Sequence, residues 1–470
     1  MPFVLGAGTN VHAQTSGPAF HEALYYRKTG STRGVECLLC PRRCTLPDGA
    51  TGFCRARRNI SGKLYSLGYG SPCAVHIDPV EKKPFFHVLP RTYSLSVASA
   101  GCNFRCRFCQ NWQISQVSPL ETTNVTLPPK DLAAAAAQKD CKSIAYTYTE
   151  PTNFYEYMFD TAKAARGRGI LNVAHSNGYI NPEPLKALSR HMDAINVDLK
   201  GFSEDFYGKL CEGRLAPVLA TIKTLKRSGV WVEITNLVIE GYNDDEKMVR
   251  EMCRWVVKEV GRDVPVHFSR FYPMYKLTGI SPTSVRTLER SRDAGLEAGL
   301  QFAYIGNVPG HPGENTYCPK CKTILIQRSG YNVLNVTLKN GNMVWEGVTL
   351  EDGDYTLENN GSISLNGYEN RYGAGGLEIV RSSAAIINNG RIQNDYFQLD
   401  LEVPPIARLA RPGQFVHVQF PEFQHRILRR PFSIFDTDPA SGRLSIIYKI
   451  VGEGTGHLSR LQPGTSLDLL

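Results

Sequence analysis

Short apolar runs alternate with amphipathic stretches between about residues 95 and 310 of the 470-residue chain. The apolar runs have the length of strands, and they read LSVA, SIAYTY, NVAHS, AINVDL, VWVEITNLVI, VHFSRF and FAYIG. The intervening stretches place apolar residues at i, i+3 and i+4, and several end near glycine, as helices do. They are KDLAAAAAQ, FYEYMFDTAKAAR, APVLATIKTLKRSG, DDEKMVREMCRWVVKEVG and TSVRTLERSRDAGLEAG. This alternation predicts α/β architecture, with parallel strands in an open sheet or a barrel.

The pattern changes from about residue 331, where Asn and Gly become frequent and helical periodicity stops. Such a stretch predicts short β-hairpins or a loose linker, and YGAGG is a candidate boundary. Beyond it, YFQLDLEV, QFVHVQF, PFSIFD and RLSIIYKIV alternate with turn residues. Short strands of this kind are typical of a small antiparallel barrel or sandwich.

Five segments follow from these patterns. We expect a disordered start or residual leader over 1–20, a cysteine-rich segment over 21–72, an α/β domain over 73–330, a linker or small β segment over 331–376, and an all-β domain over 377–470.

Polar residues follow four of the predicted strands, in the stretches GCNFRC, TEP, SNG and DLKG. In open α/β sheets and barrels, ligands bind beyond the carboxyl ends of the strands. Each stretch alone is ordinary turn or cap chemistry. Four of them at equivalent strand ends favour one binding cleft.

The composition is that of an ordinary globular protein, with 42% hydrophobic and 21% charged residues. The net charge of +9 is spread along the chain without a run of like charges, so no nucleic-acid partner is signalled. No apolar run approaches the ~18–20 residues that span a bilayer, and the first residues lack the positive start of a secretory signal. We expect a cytoplasmic protein without membrane association.

Nine of the 13 cysteines are clustered, whereas Cys73, Cys141, Cys211 and Cys253 stand alone. Gaps of two or three residues are too tight for an ordinary disulfide framework and suit metal ligands, which indicates a reducing compartment. The clusters are Cys37, Cys40, Cys44 and Cys54; Cys102, Cys106 and Cys109; and Cys318 and Cys321.

The middle cluster, in GCNFRCRFCQNW, stops one ligand short of the four that structural metal sites normally use. A [4Fe–4S] cluster held by three thiolates leaves one iron free to bind a substrate or cofactor. The spacing C-x3-C-x2-C, with the aromatic Phe108 before the last cysteine, resembles the signature of the radical S-adenosylmethionine (SAM) superfamily. The resemblance implies that Cys102, Cys106 and Cys109 are the catalytic cluster ligands. It also implies that SAM chelates the open iron and is cleaved reductively to a 5′-deoxyadenosyl radical.

Further segments extend the resemblance, among them KLYSLGYGSPCAVHIDPVEKKPFFHVLP, AYTYTEPTNFYEY, NVDLKGFSEDFYGKLC, HFSRFYPMYKLT and YIGNVPGHPGENTYCPKC. Together they resemble the radical SAM enzyme of the AmmeMemoRadiSam system, a group close to pyruvate formate-lyase activating enzymes. The resemblance spans about residues 21–330 and implies a partial (β/α)6 TIM-like barrel.

The same resemblance implies a set of SAM-binding residues. YTYTEP occupies the place of the superfamily's Gly-Gly-Glu-Pro stretch, with both glycines replaced, and it puts Glu150 near the SAM amino group. His267 and Arg270 are further candidates for the cleft. The implied SAM-binding set is Phe108, Glu150, Ser176, Asn177, Asp198 and Lys200.

Two cysteine groups remain. Four thiolates in the spacing C-x2-C-x3-C-x9-C can close a zinc site or hold a second iron–sulfur cluster, and we lean slightly to zinc for Cys37, Cys40, Cys44 and Cys54. The pair Cys318 and Cys321 lacks the second C-x2-C of a zinc ribbon. We expect this pair to bind no metal unless a lone cysteine or His311 completes the site.

The C-terminal domain resembles the flavin-binding barrel of ferredoxin-reductase-like proteins, most closely the electron-transfer subunit of bacterial dihydroorotate dehydrogenase. The resemblance rests on PGQFV, RPFS and GEGTG at suitable distances, and it implies FAD as a cofactor with Arg430 on the pyrophosphate. That family continues into a nucleotide-binding half after the position of LDLL. We therefore expect either a fragment or a flavin that takes electrons from a separate partner. The implied flavin residues are Arg430, Pro431, Phe432, Ser433, Ile447, Tyr448, Lys449, Gly454 and Thr455.

The leading hypothesis is a radical SAM enzyme whose flavin module, served by a reductant or electron-transfer partner, supplies single electrons to the cluster. A second hypothesis is an activase that places a glycyl radical on a partner protein. A third is a flavin and iron–sulfur electron-transfer module without turnover. The substrate is left open by the sequence.

Overall fold

The computed structural model describes residues 20–336, 355–357, 363–365, 382–393, 395–410, 415–419, 430–450 and 453–469. The chain divides into two compact units, Met1–Tyr368 and Glu369–Leu470. The predicted leader lies outside the described residues, apart from Phe20, and so does the YGAGG boundary. The segment limits given above stay predictions.

Two small antiparallel sheets form the start of the first unit. One has the strand order β1-β6-β5 and the other β2-β3-β4. Their strands are β1 (His21–Glu22), β2 (Tyr26–Lys28), β3 (Val35–Cys37), β4 (Thr45–Leu46), β5 (Arg57–Ile60) and β6 (Lys63–Ser66).

An eight-stranded sheet follows and forms the centre of the first unit. Its strands are β7 (Ala74–Pro79), β8 (Tyr93–Ala98), β9 (Ser143–Tyr146), β10 (Leu171–Ser176), β11 (Ala194–Asp198), β12 (Trp231–Val238), β13 (Val266–Arg270) and β14 (Ala303–Gly306). Strands β8 to β14 run parallel in chain order, and β7 pairs antiparallel with β8 at one edge. All seven predicted strands are confirmed.

Helices connect the parallel strands. They are α1 (Trp112–Ser115), α2 (Pro129–Gln138), α3 (Tyr155–Arg166), α4 (Pro182–Ser189), α5 (Glu204–Phe206), α6 (Leu215–Arg227), α7 (Glu246–Glu259) and α8 (Val285–Glu297). Asp245 caps α7 by accepting a hydrogen bond from the backbone nitrogen of Met248, and Ser284 caps α8 through Thr287. The α/β prediction is confirmed, although the structure gives seven parallel strands where the resemblance implies six βα units.

A buried polar network occupies the amino half of this sheet. Glu233 is fully buried and accepts hydrogen bonds from the backbone nitrogens of Phe86 and His87 at 3.1 and 2.9 Å. Its carboxylate also lies 2.6 Å from Nε2 of His267 and accepts from Nε1 of Trp231 at 3.3 Å. These bonds fasten the segment before β8 to the amino halves of β12 and β13. The polar stretches at the carboxyl ends lie away from this network.

Short antiparallel strands end the first unit. They are β15 (Thr316–Tyr317), β16 (Ile324–Ser329) and β17 (Asn332–Val336) in one sheet, and the hairpin β18 (Tyr355–Leu357) and β19 (Ile363–Leu365).

The described part of the second unit is all-β apart from two short helices. Its elements are β20 (Ser382–Gln393), β21 (Tyr396–Glu402), α9 (Pro404–Ala407), β22 (Phe415–Gln419), β23 (Arg430–Asp438), β24 (Arg443–Lys449), α10 (Glu453–Leu458) and β25 (Ser466–Leu469). Antiparallel pairing joins the strands in the closed order β20-β21-β24-β23-β22-β25. Alternate residues of these strands fill its core, including Leu399, Leu401, Leu444 and Ile446. Within the described part of the chain, no helix has both the length and the apolar character needed to cross a bilayer.

Candidate active site

Gly101 joins β8 to the three-cysteine loop at a point where that loop touches the N-terminal cysteine-rich segment. Its φ of +106° lies in a region that favours glycine. A Cβ here would lie 2.5 Å from the carbonyl oxygen of Cys54. Because no side chain fits in that space, the close approach of the two loops requires a glycine.

The three predicted cluster cysteines lie together after this glycine, and Cys106 is the most buried of them. Burial, followed by the neighbouring Cys106 thiol, raises the pKa of Cys102 well above its usual range, and burial also raises the pKa of Cys109. Polar groups face the sulfurs. The Nδ2 of Asn177 lies 3.9 Å from the Cys102 sulfur, and the Ser115 hydroxyl lies 3.1 Å from the Cys109 sulfur. Buried thiols with polar hydrogen-bonding neighbours suit an iron–sulfur cluster, whose binding replaces the thiol protons with iron.

Cys211 is a fourth thiol beside this loop, and the sequence analysis treated it as an isolated cysteine. It ends the π-helical turn Tyr207–Cys211, whose last carbonyls accept hydrogen bonds from the backbone nitrogens of Arg105 and Arg107, both at 2.9 Å. A hydrogen bond with the Cys211 thiol, together with burial, raises the pKa of Cys106 well above its usual range. The two cysteines are distant in sequence, so no local spacing could have paired them.

Glu150 gathers the strand ends of β9 and β10 into one hydrogen-bond network. Its Oε1 accepts from the Ser176 hydroxyl at 2.8 Å and from the Thr152 hydroxyl at 2.6 Å, and its Oε2 accepts from the backbone nitrogen of Asn177 at 2.7 Å. Burial raises the pKa of Glu150, and these donors oppose the shift. Asn177 in turn reaches Cys102 and the side chain of Asn103. The predicted residues Glu150, Ser176 and Asn177 therefore adjoin the cluster loop.

Tyr148 stands where the superfamily's stretch has its first glycine, and it keeps a glycine-like backbone. Its φ is +65°, a conformation that costs about 1–3 kcal/mol for a side chain of this size. Its carbonyl accepts from Asn111 at 2.8 Å, and its hydroxyl donates to the carboxylate of Asp78 and accepts from the buried Lys83 at 3.2 Å. These contacts hold the tyrosine in the strained conformation, so the turn survives the loss of the glycine.

Asp198 and Lys200, at the end of β11, form a second polar group with His175 of β10. Asp198 lies 3.0 Å from Nε2 of His175 and 2.8 Å from Nζ of Lys200. Burial alone would raise the pKa of Asp198, but Lys200 and His175 hold it below its usual range. Lys200 also lies 5.8 Å from the centre of the Phe108 ring, which places this group beside the cluster loop. His175 was not predicted from the sequence, although its position one residue before Ser176 was the available signal.

His267 and Arg270, the two further candidates for the cleft, lie in different surroundings. His267 lies in the amino half of β13, buried against Glu233, and does not join the strand-end residues. Arg270 is the last residue of β13, and it donates to the Thr283 carbonyl at 2.7 Å and to the Tyr272 hydroxyl at 3.4 Å.

The four cysteines of the N-terminal segment line one cavity. Burial, followed by the neighbouring thiols, raises the pKa of Cys40, and burial raises the pKa of Cys54 to about 11. Among the described residues, no three His, Cys, Asp or Glu side chains group closely enough to hold a single metal ion. The assignment of zinc or a second iron–sulfur cluster to Cys37, Cys40, Cys44 and Cys54 stays a prediction.

Cys318 and Cys321 lie between β15 and β16. Cys321 is exposed, and hydrogen bonds with Thr323 and Cys318 lower its pKa to about 7. Both ring nitrogens of His311 have other partners: Nδ1 accepts from the Gly313 nitrogen at 2.9 Å, and Nε2 lies 3.2 Å from Glu289.

The predicted flavin residues of the second unit divide between two faces of their strands. Phe432 and Tyr448 are buried in the core, with ring centroids 6.0 Å apart, whereas Ile447 is half-buried and Lys449 is exposed. Successive strand residues point to opposite sides, so these side chains do not share one face.

Other predicted flavin residues are described through the backbone. Arg430, Pro431 and Ser433 lie in β23, with side chains outside the described part, and Gly454 and Thr455 lie in α10.

Comparisons with known proteins find two kinds of relative. A family model described as the Radical SAM superfamily matches residues 96–253. The uncharacterized protein MJ0808 of Methanocaldococcus jannaschii is 49% identical over 317 residues, which are 67% of this chain and 94% of that protein.

Relatives of the second kind are electron transfer subunits of dihydroorotate dehydrogenase B (NAD(+)). The electron transfer subunit of dihydroorotate dehydrogenase B (NAD(+)) from Desulforamulus reducens is 42% identical over 77 residues, 16% of this chain and 29% of the subunit. The subunit from Shouchella clausii is 35% identical over 85 residues, 18% of this chain and 33% of the subunit. The chain therefore spans about a third of the length of these subunits.

Solved structures are more distant. A domain of pyruvate-formate lyase-activating enzyme from Bacteroides vulgatus is 18% identical, with 35% of this chain and 99% of that chain covered and a TM-score of 0.32. SuiB from Streptococcus suis is 14% identical, with 45% and 48% covered and a TM-score of 0.37. Scores this low carry no argument about function.

Proposed function

The chain belongs to the radical SAM superfamily, and on that premise we propose that it cleaves SAM reductively at a [4Fe–4S] cluster held by Cys102, Cys106 and Cys109. The observation that carries the proposal is the position of the three thiols on one loop, beside a network that reaches them through Asn177. The cluster supplies the single electron that breaks a carbon–sulfur bond of SAM.

The Glu150 network supports the placement of SAM. A buried carboxylate beside the open iron attracts the cationic amino group of an amino acid. In the structure this carboxylate already orients Ser176 and Asn177. We therefore assign Glu150 to the SAM amino group and Asn177 to positioning both SAM and Cys102.

Asp198, His175 and Lys200 form a polar group that supports binding of a polar part of the substrate. It lies beside Phe108 of the cluster loop, and its three side chains are partly exposed rather than sealed in the core. A hydrogen bond or ion pair with this group would orient a substrate for hydrogen abstraction. The substrate class stays open at this level.

A flavin bound by the second unit supplies the electrons in this proposal. Its support is the similarity to electron transfer subunits of dihydroorotate dehydrogenase B. A flavin accepts electrons in pairs and releases them singly, which is the conversion that a one-electron cluster needs.

The test is SAM cleavage by the full chain after anaerobic reconstitution with iron and sulfide. With dithionite as reductant, we expect 5′-deoxyadenosine from the wild type and from Cys253→Ala, a control that removes a buried thiol of α7. The triple variant Cys102→Ala, Cys106→Ala, Cys109→Ala should form none. Clusters that exchange electrons without any 5′-deoxyadenosine in the wild type would instead support an electron-transfer module.

A further inference from the structure

Two unsatisfied donors accompany the four-cysteine cavity described above. The cavity wall includes Arg57 and Asn153, which are 1% and 2% exposed. The Nε of Arg57 and the Nδ2 of Asn153 are buried without a hydrogen-bond partner. Buried N–H groups are nearly always paired, and an orphan donor costs about 1–3 kcal/mol. Two of them around four thiols indicate that the site accepts an anionic group rich in acceptor atoms.

Arg57 also contacts one of the four thiols, although its Nη1 donates to the Leu24 carbonyl as well, at 3.1 Å. The Nη1 of Arg57 lies 3.8 Å from the Cys37 sulfur, while Nη2 pairs with the carboxylate of Glu156. Arg42 lines the same cavity. Guanidinium groups beside thiolates stabilise their negative charge.

The two orphan donors distinguish between the metal groups that four thiolates could hold. A zinc tetrathiolate draws all four sulfurs to about 2.3 Å from one ion. A [4Fe–4S] cluster instead takes one thiolate on each of four irons and adds four inorganic sulfides as acceptors. The four thiols line one cavity, and the two orphan donors of its wall match sulfide acceptors, which a zinc tetrathiolate does not offer.

We propose that Cys37, Cys40, Cys44 and Cys54 hold a second [4Fe–4S] cluster, which passes single electrons to the cluster at Cys102, Cys106 and Cys109. The relay role rests on the proposed function, whereas the cluster itself does not.

The two cysteine loops share a wall, which supports the relay. Asn103, the neighbour of Cys102, lines the four-cysteine cavity. Arg105 bridges the loops: its Nη1 donates to the Cys102 carbonyl at 2.8 Å, and its Nη2 donates to the Phe53 carbonyl. Gly101 packs directly on the carbonyl of Cys54.

The electron balance is simple. The second cluster goes from the 1+ to the 2+ state as the first goes from 2+ to 1+, and no proton or bond is exchanged between them. A one-electron donor, such as a reduced flavin or dithionite, then restores the second cluster.

The composition test uses the full-length triple variant that lacks Cys102, Cys106 and Cys109. After anaerobic reconstitution it should still hold about four irons and four acid-labile sulfides per chain, against about eight of each in the wild type. One zinc without sulfide, or no metal at all, would overturn the proposal. This result does not depend on SAM cleavage, so a failure of the proposed function is recognised separately.

Electron paramagnetic resonance of the dithionite-reduced protein tests whether the two clusters lie close together. We expect a broadened signal from two interacting paramagnetic clusters in the wild type, and one simple signal in the triple variant. Two independent simple signals in the wild type would rule out the relay.

Asn153→Leu keeps the test decisive if the cysteine variants are unstable. In the otherwise wild-type chain it removes an N–H donor to the second cluster, so the midpoint potential of that cluster should fall. Asn124→Leu, at a half-buried surface turn, is the matched control and should leave that potential unchanged. An unchanged potential in Asn153→Leu would contradict the assignment of this donor.

Discussion

Glu150 shows how a single buried carboxylate can organise the proposed SAM site. It is 3% exposed, and donors from three residues oppose the rise in its pKa that burial causes. A neutral amide would present an NH2 group to some of those donors and would lose the attraction for a cationic amino group.

We expect Glu150→Gln to weaken SAM binding about tenfold or more, since hydrogen bonds to charged groups contribute about 1.5–3 kcal/mol. Isothermal titration of the reconstituted protein under anaerobic conditions measures the effect. The control is Glu314→Gln, which neutralises a buried carboxyl bonded to the Gly310 and Gly330 nitrogens instead. Equal affinities in wild type and Glu150→Gln would remove Glu150 from the site.

Glu81 gives the stability of the first unit a pH dependence. It is 1% exposed, and burial raises its pKa to about 7 from an ordinary 4.5, against the opposing charge of Arg328. Between those two values the folded state binds the proton more tightly than the unfolded state. The stabilisation is therefore complete below the lower value and is lost as pH rises through about 7.

The expected loss is on the order of 3 kcal/mol for this one group. Urea unfolding of wild type and Glu81→Gln at pH about 5 and about 8 should show a smaller difference in the variant. Glu183→Gln, on the exposed face of α4, should keep the wild-type difference. A variant as pH-dependent as the wild type would mean that Glu81 is ionised throughout.

At the scale of elements, the contact between the two cysteine loops depends on one glycine. Gly101→Ala adds a methyl group 2.5 Å from a backbone oxygen in a backbone conformation that alanine avoids. The loops must separate, so we expect loss of both clusters and destabilisation above 3 kcal/mol, beyond the usual cost of overpacking.

Gly169→Ala is the matched control, because Gly169 also has a positive φ, of +69°, but has open space around its Cβ position. It should cost about 1 kcal/mol and keep the clusters. Iron content and urea midpoints of the two variants decide the matter. If Gly101→Ala kept a full complement of iron, the close loop contact would be unnecessary for cluster binding.

Helices and strands could be predicted from the sequence where their burial leaves a local pattern of apolar residues. Each parallel strand is a continuous apolar run because helices cover the sheet, and that run is visible in the sequence. The edge strand β7, AVHIDP, was not predicted, because an antiparallel strand at a sheet edge needs no continuous apolar run. Helix α4, PEPLKALS, escaped because it is short and begins with two prolines.

The candidate site could be predicted where its residues form recognisable local motifs in the sequence. The cysteine motifs and the strand-end stretches located Cys102, Glu150, Ser176 and Asn177. Cys211 reaches Cys106 only through the tertiary course of a π-helical turn. The orphan donors of Arg57 and Asn153 exist only in the packed structure, since each residue reads as an ordinary polar residue in the sequence.

At the scale of the whole molecule, the proposed function couples a radical SAM unit, which would consume single electrons, to a flavin bound by the second unit. Reductive SAM cleavage needs one electron for each event, and a flavin on the same chain would be present at one equivalent per active site. The advantage of such a fusion is effective concentration, because the electron donor is tethered rather than shared with other acceptors.

The last prediction tests this coupling in the full chain. After gel filtration with FAD, light and EDTA should reduce the bound flavin and drive formation of 5′-deoxyadenosine. Arg430→Ala removes the cation assigned to the pyrophosphate, so we expect it to lose bound flavin and the light-driven product while its dithionite-driven activity stays unchanged. Arg443→Ala, which removes a surface arginine 3.5 Å from Asp436 in the same unit, should keep both activities. Light-driven product that is equal in Arg430→Ala and wild type would show that the electron reaches the cluster by another route.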